Sequence, residues 1–428
     1  MTKTWFDVIQ PHADIREGHF DEAVFAADLG DVVHKIAAPD YNDPYLFFKK
    51  TYPTVGLTNL LKRVYAKLTT GQGPSVIQIQ TPFGGGKTHA LVAIYHYLKH
   101  GERVEELLPE GVKLLSPNVS AIAGNHWNPL EGVVSEGIAR RTFWGEVAFQ
   151  IGGREGYEAF RENDEKGIAP GKDKLRTFLE AHQPFVILFD EILEYINKAL
   201  DVREQTDVSL GTQTFSFFQE LTEAVSVLRR GMLVVTLPSS RLEDFGDREE
   251  ESLARLGKIF GRVESIETPV QGEEVYAVIR RRLFEEESLR RVPMRETVHR
   301  YFQLYVQHRE DLPAKARDPN YREKMEMAYP FHPDLLDILY EKWSTFPSFQ
   351  RTRGVLRLLS LVVHALKERE LPYITLADFD LANQEVRREL LKHIGPEYDS
   401  VIAADVTAEE AGARKVDGEL GAAYQGLR

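Results

Sequence analysis

Apolar and polar residues alternate over Val76-Ile77-Gln78-Ile79-Gln80, the pattern of a β-strand. Downstream, Leu91, Ile94, Tyr95 and Leu98 recur at i, i+3, i+4 and i+7, the spacing of a helix. A glycine-rich turn therefore joins a strand to a helix. Further strands are predicted at Val119 to Ala123, along the unbroken apolar run Phe185-Val-Ile-Leu-Phe189, at Met232 to Leu237, and at Arg262 to Thr268, where Pro269 ends the run. Between them lie predicted helices at Phe25 to His34, Val55 to Leu68, near 132–150 and near 172–182. Another carries Phe215, Phe218, Leu221 and Val225 on one face and ends at Arg229-Arg230-Gly231. Continuous apolar strands alternating with helices define an α/β fold with a parallel sheet covered on both faces.

After residue 270 the strand patterns stop. Val275, Val278, Ile279 and Leu283 mark one amphipathic helix, and Val298, Tyr301, Phe302 and Tyr305 mark another. Helices follow near 334–345, 354–368 and 376–394, the last opened by Thr375-Leu-Ala-Asp378 in capping-box order. The expected organisation is an N-terminal extension (1–54), an α/β core (55–269), a helical domain (270–395) and a tail (396–428). The tail is Ala-, Gly- and Glu-rich, which suggests an amino-terminal piece of a longer protein.

The turn after the first strand reads Thr81-Pro82-Phe83-Gly84-Gly85-Gly86-Lys87-Thr88-His89. Consecutive glycines let a backbone curl with its N–H groups inward, and the helix start adds free N–H donors and positive dipole character. The turn is expected to cradle the phosphates of ATP. Lys87 would reach the β- and γ-phosphates, and Thr88 would ligate Mg²⁺. Thr81 stands where the usual motif has its first glycine. The run Phe185–Phe189 delivers Asp190 and Glu191 to the sheet edge. Asp190 is the expected second Mg²⁺ ligand and Glu191 the expected base for the attacking water. The loop Asn125-His126-Trp127-Asn128-Pro129 follows a strand end, where ligands of open α/β sheets bind. At the tip of the Met232–Leu237 strand, Thr236-Leu-Pro-Ser-Ser240 offers a polar sensor for the γ-phosphate.

Composition narrows the alternatives. The chain has 428 residues, 28% of them charged, and a net charge of −13, so bulk attraction to nucleic acid is not expected, although a local basic patch is compatible with it. It has 0 cysteines, which excludes disulfides, thiol nucleophiles and thiolate metal sites and suits a reducing cytoplasm. No apolar run approaches the roughly 20 residues of a membrane helix. No Gly-x-Ser-x-Gly elbow is present. His96 and His100 have metal-ligand spacing but no third ligand nearby, and are expected to be exposed histidines. The aromatic segment Tyr45 to Thr54 is expected to serve packing rather than base stacking.

The implied strand sequence, with the helical part after it, resembles the AAA+ ATPases. Phe48-Lys-Lys-Thr-Tyr-Pro-Thr54, Pro82-Phe-Gly-Gly-Gly-Lys-Thr-His89 and Thr236-Leu-Pro-Ser-Ser240 look like a family of large prokaryotic ATPases encoded in anti-phage defence islands beside DNA methyltransferase and helicase genes, akin to the large ATPase of BREX systems. The resemblance implies a P-loop sandwich of the AAA+ type, a helical lid, ATP and Mg²⁺ as ligands, and a homo-oligomer working with methyltransferase, helicase or other defence proteins. It implies that Arg262 is an arginine finger acting on a neighbouring subunit, and that Arg357 of Gly354-Val-Leu-Arg357 contacts the γ-phosphate, with Arg353 and Arg351 as competitors. It further implies that Ser239 or Thr236 is the strand-tip sensor. Two other functions fit the residues: a nucleotide-binding switch or scaffold with little turnover, and a translocase acting directly on duplex DNA.

Overall fold

The computed structural model describes residues 3–19, 25, 27–80, 86–203, 207–237, 246–261, 265–267, 270, 272, 274–339 and 352–408. The chain forms two compact units, Ala27–Gln271 and Met1–Ala26 with Gly272–Arg428. Residues 1–54, expected as one extension, are thus shared between the two units at Ala26.

The first unit is built on a parallel sheet. Its strands are β1 (Val76–Ile79), β2 (Asn118–Ala123), β5 (Phe185–Asp190), β6 (Gly231–Thr236) and β7 (Ser265–Glu267), in the order β2-β5-β6-β1-β7. The two intervening strands, β3 (Val133–Ser135) and β4 (Ile138–Arg140), form a separate antiparallel hairpin. Both faces of the main sheet are covered, because successive strand residues feed opposite cores. Phe185, Ile187 and Phe189 join one core with the helices Phe143–Lys166, Ile192–Ala199 and Leu210–Ser226. Val186 and Leu188 join the other, with Val55–Thr70 and Lys87–His100. Every residue of β5 and β6 is buried, which is why their runs are unbroken rather than alternating. The β2 edge is closed by a side chain. Gln150 accepts from the Ala121 N–H at 2.7 Å and donates to the Ala121 carbonyl at 3.3 Å, standing in for a further strand.

The helix expected near 132–150 is instead the hairpin followed by a helix that begins at Phe143. Glu136 and Gly137 both have positive φ, 51° and 73°, the two-residue turn that matches strand twist. Arg140 then fixes the hairpin from within. It is 1% exposed, ion-pairs with Glu146 and donates to the Ile138 carbonyl at 2.9 Å. Gly231 is not a helix cap but the first residue of β6, and a Cβ there would lie 2.3 Å from the Phe185 ring. Phe47 and Phe48 are buried, so the aromatic segment is packing, as expected. His96, expected to be exposed, is 1% exposed. It sits on the central helix, where Nε2 bonds the Tyr41 carbonyl at 2.6 Å and the Phe47 ring packs at 5.3 Å.

The second unit is helical. Trp5–Val8 and Ala13–Glu17 pack with the later helices, and His364 Nδ1 meets the Ile15 carbonyl at 2.8 Å. The expected helix at 376–394 is two elements. The capping box of Thr375 and Asp378 opens only the 3₁₀ turn Leu376–Asp378, and Asn383 caps a separate helix, Gln384–Ile394. Among the described residues no helix is long and apolar enough to cross a membrane.

Candidate functional site

The carboxyl ends of the central strands converge on Lys87, Thr88 and Asp190. β1 leads towards Gly86, whose φ of 94° is left-handed, and the helix Lys87–His100 starts on the next residue. Glycine adopts that conformation at little cost, so the helix turns sharply away from the strand end. Lys87 Nζ reaches back and donates to the Leu237 carbonyl, just beyond β6, at 3.2 Å. Thr88, the next residue of the helix, lies near Asp190 at the end of β5, where its hydroxyl favours the ionised carboxylate. Thr236, the last residue of β6, donates a hydroxyl to the same carboxyl group. Two strand ends and the start of a helix are therefore drawn together around one acid.

Asp190 is 2% exposed. Burial pushes its carboxyl above the ordinary range, opposed by the hydroxyls of Thr236 and Thr88 and by the charge of Lys87, while Asp28 adds to the upward shift. Glu191 is exposed and leaves the strand in the left-handed region, with φ of 49°. A non-glycine residue there stores strain that the surroundings must hold in place. The surroundings do so through backbone contact: a Cβ on Gly124 would stand 2.5 Å from the Glu191 carbonyl oxygen. Gly124–His126 is the 3₁₀ turn after β2, and Ala123 pairs with Asp190 in the sheet register.

Thr81, Pro82, Phe83, Gly84, Gly85, Ser239, Arg262 and Arg351 lie outside the described residues, as does the side chain of Arg353. His89 lies one residue past Thr88, but its Nε2 meets Thr51 Oγ1 at 2.9 Å and its ring packs on Phe47 at 4.5 Å. It ties the aromatic segment to the first turn of the helix. Arg357 lies in the helical unit, where its Nε pairs with the buried Glu389 at 2.9 Å. Thr236, one of the two expected sensors, donates its hydroxyl to Asp190.

A second group of residues had no signal in local spacing. Asp28 accepts from Asn125 Nδ2 at 2.9 Å, its Oδ1 lies 2.8 Å from His126 Nε2, and Asp31 lies 3.7 Å from the same ring nitrogen. The Asn125–His126 loop was legible as a strand-end loop, whereas its acidic partners, nearly a hundred residues earlier in the chain, were not.

The donor set suits a magnesium–triphosphate. A buried carboxylate, a threonine hydroxyl, a lysine and a helix N-terminus meet at one point, and each is a group of the kind that holds a hydrated cation or a phosphate oxygen.

The fold and this convergence define an α/β protein with a polar centre at the carboxyl edge of a doubly covered parallel sheet, joined to a helical unit. The DUF499 N-terminal domain matches residues 6–269 and the DUF499 second domain matches residues 271–422. The chain belongs to the DUF499 family. The boundary between these two domains coincides with the division of the compact units at Gln271. None of the curated proteins matches the chain.

Proposed function

We propose that this chain binds ATP·Mg²⁺ at the carboxyl edge of its sheet and hydrolyses ATP to drive a conformational change. The observation that carries the reading is the meeting of Lys87, at the helix start and bonded to the Leu237 carbonyl just beyond β6, with the buried Asp190, which Thr236 holds from the end of β6. Thr88 and Asp190 would hold the Mg²⁺, which when bound neutralises charge on the phosphates. Lys87 now donates to a neutral carbonyl, a weaker partner for an ammonium than a phosphate oxygen. Gly86 and the amides beyond it would face the phosphates, and Thr236 would keep the Asp190 carboxylate aimed. Glu191 would orient the attacking water and accept its proton.

The sheet order supports the AAA+-type form of this reading. β6 stands between β1, which leads to Lys87, and β5, which carries Asp190 and Glu191, as the resemblance in the sequence implies. An ATP-driven part in a DNA-modification or anti-phage complex belongs to the same proposal, as does a homo-oligomer in which Arg262 acts on a neighbour's nucleotide. Arg357, engaged by Glu389, is given no part in the chemistry.

The test is Glu191→Gln in the full chain. Phosphate release should fall at least 100-fold, the usual range for losing a general base, with ATP affinity kept within about two-fold. Release at the wild-type rate would remove Glu191 from the mechanism. Equally low release from both proteins, with ATP bound, would favour a switch or scaffold.

A further inference from the structure

The group around Asp28 lies beside the acid pair without belonging to it. Asp28 caps the helix Leu29–His34, where its Oδ1 accepts from the Asp31 N–H at 3.0 Å. The same carboxylate holds both side chains of the turn after β2, Asn125 at 2.9 Å and His126 at 2.8 Å. The His126 ring lies against Gly30, where a Cβ would come within 2.4 Å of the ring, and it stacks on His34 at 6.1 Å between centroids. One side of the turn is thereby clamped. The other side meets the start of the helix after β5. The Gly124 backbone abuts the Glu191 carbonyl, and Trp127, 5% exposed, packs edge-on against Tyr195 at 6.2 Å.

These contacts form a continuous path from Asp28 through Asn125 and His126 to Gly124 and the Glu191 backbone. Glu191 is the residue that needs such support, because its φ of 49° persists only while neighbours enforce it. We infer that Asp28 is a positioning residue for Glu191, acting through the Gly124–His126 turn to hold the left-handed backbone that aims the Glu191 carboxylate. The kinetic part of this inference rests on the reading of Glu191 as the catalytic base, and the backbone part does not. The physical cause is the shared carboxylate. A hydrogen bond to Asn125 and a close polar contact with His126 fix one turn in two directions, and a turn fixed on one face offers a rigid surface to the other.

The experiment uses the full chain and three variants, Asp28→Ala, Gly30→Ala and Asp28→Asn. Asp28→Ala removes the clamp. Gly30→Ala leaves Asp28 and the helix cap in place but drives a methyl into the His126 ring, so it stands in should Asp28→Ala fail to fold. Asp28→Asn keeps an oxygen for the cap and for His126. Two quantities are read: amide hydrogen exchange in the peptide carrying Glu191, and the steady-state constants for ATP. In Asp28→Ala and Gly30→Ala, exchange around residues 190–193 should quicken at least ten-fold while β1 and β6 stay protected. There kcat should fall at least ten-fold with KM for ATP within about two-fold. Asp28→Asn should recover most of both. Unchanged exchange at Glu191 in a folded Asp28→Ala or Gly30→Ala protein overturns the inference, whatever the kinetics. A fall in kcat matched by a rise in KM would overturn it too, because that would mark a binding role. Quickened exchange in a protein whose wild type turns over no ATP would leave the positioning intact and count against the hydrolytic reading alone.

Discussion

Two buried carboxylates, one in each unit, are treated in opposite ways. Glu389 in the helical unit is 4% exposed, and burial alone would raise its pKa. The nearby His393 ring, the Lys392 ammonium and the charge of Arg357 outweigh that, and hold it below the ordinary carboxylate range. Its nearest cations are Arg357 at 2.9 Å and Lys392 at 3.1 Å. Asp190 in the sheet unit is also buried, yet its hydrogen-bond donor is the Thr236 hydroxyl, Lys87 acts on it only through its charge, and its pKa is raised by burial. A carboxylate matched by cations within its own unit is finished as structure. One bonded by a hydroxyl, with a cation acting only through its charge, is held in position at a cost to the fold, and such sites concentrate where chemistry is done.

Breaking the finished pair should give the larger effect on stability. Glu389→Gln leaves Arg357 and Lys392 without their anion and should lower stability by about 2 kcal/mol, towards the smaller end for a buried pair because the cations are partly exposed. Arg357→Ala should cost less, about 1 kcal/mol, because Lys392 and His393 remain. Chemical denaturation reads both. In either variant the ATP affinity should stay at the wild-type value, and a loss of turnover at unchanged stability in Arg357→Ala would instead return that arginine to the nucleotide site.

The histidine buried on the helix that starts at Lys87 supplies a pH signal of similar size. Burial lowers the His96 pKa to about 4, with the Tyr41 carbonyl and the charge of Asp43 opposing it. The unfolded chain takes up a proton near pH 6.5, which buried His96 refuses. Stability from this residue is therefore full above about 6.5 and is lost as pH falls towards 4, by on the order of 2 kcal/mol. Denaturant midpoints measured across that interval should show the loss, and His96→Asn should flatten it.

The opposite sign is expected at Asp190. A raised pKa means the carboxyl favours the fold when protonated and ceases to as pH rises through that pKa. At neutral pH, Asp190→Asn keeps one carbonyl oxygen to accept from Thr236 and removes the buried charge. It should stabilise the sheet unit by about 1 kcal/mol, a rise of roughly 2–4 °C in Tm for a unit of this size. A destabilised Asp190→Asn would show that Asp190 and Glu389 are the same kind of group, and the comparison between the units would fail.

Much of this contrast is visible along the chain before any fold is known. The apolar runs ending at Asp190 and Thr236 are local signals, since buried parallel strands leave their marks on consecutive residues. What failed to show had non-local causes. The hairpin at 133–140 reads as part of a helix because its determinant is a two-residue turn at Glu136-Gly137 with Arg140 buried behind it. His96 looks like a surface residue because its partner is a backbone carbonyl contributed by Tyr41. Asp28 gives no sign of itself, because the groups it holds, Asn125 and His126, come to it only once β2 is in the sheet. The capping box at Thr375 is real but starts a single turn, since capping chemistry marks where a helix begins and not how long it runs.

The central claim is that Lys87, Thr88 and Asp190 form a nucleotide site, and calorimetric titration of ATP·Mg²⁺ into the wild-type chain and into Lys87→Ala tests it most directly. The wild type should bind with one site per chain, and Lys87→Ala should lose at least 100-fold in affinity, because the phosphates lose their main cation while the fold stays intact by thermal melting. Equal affinity in the two proteins, or no heat from a folded wild type, would contradict the account.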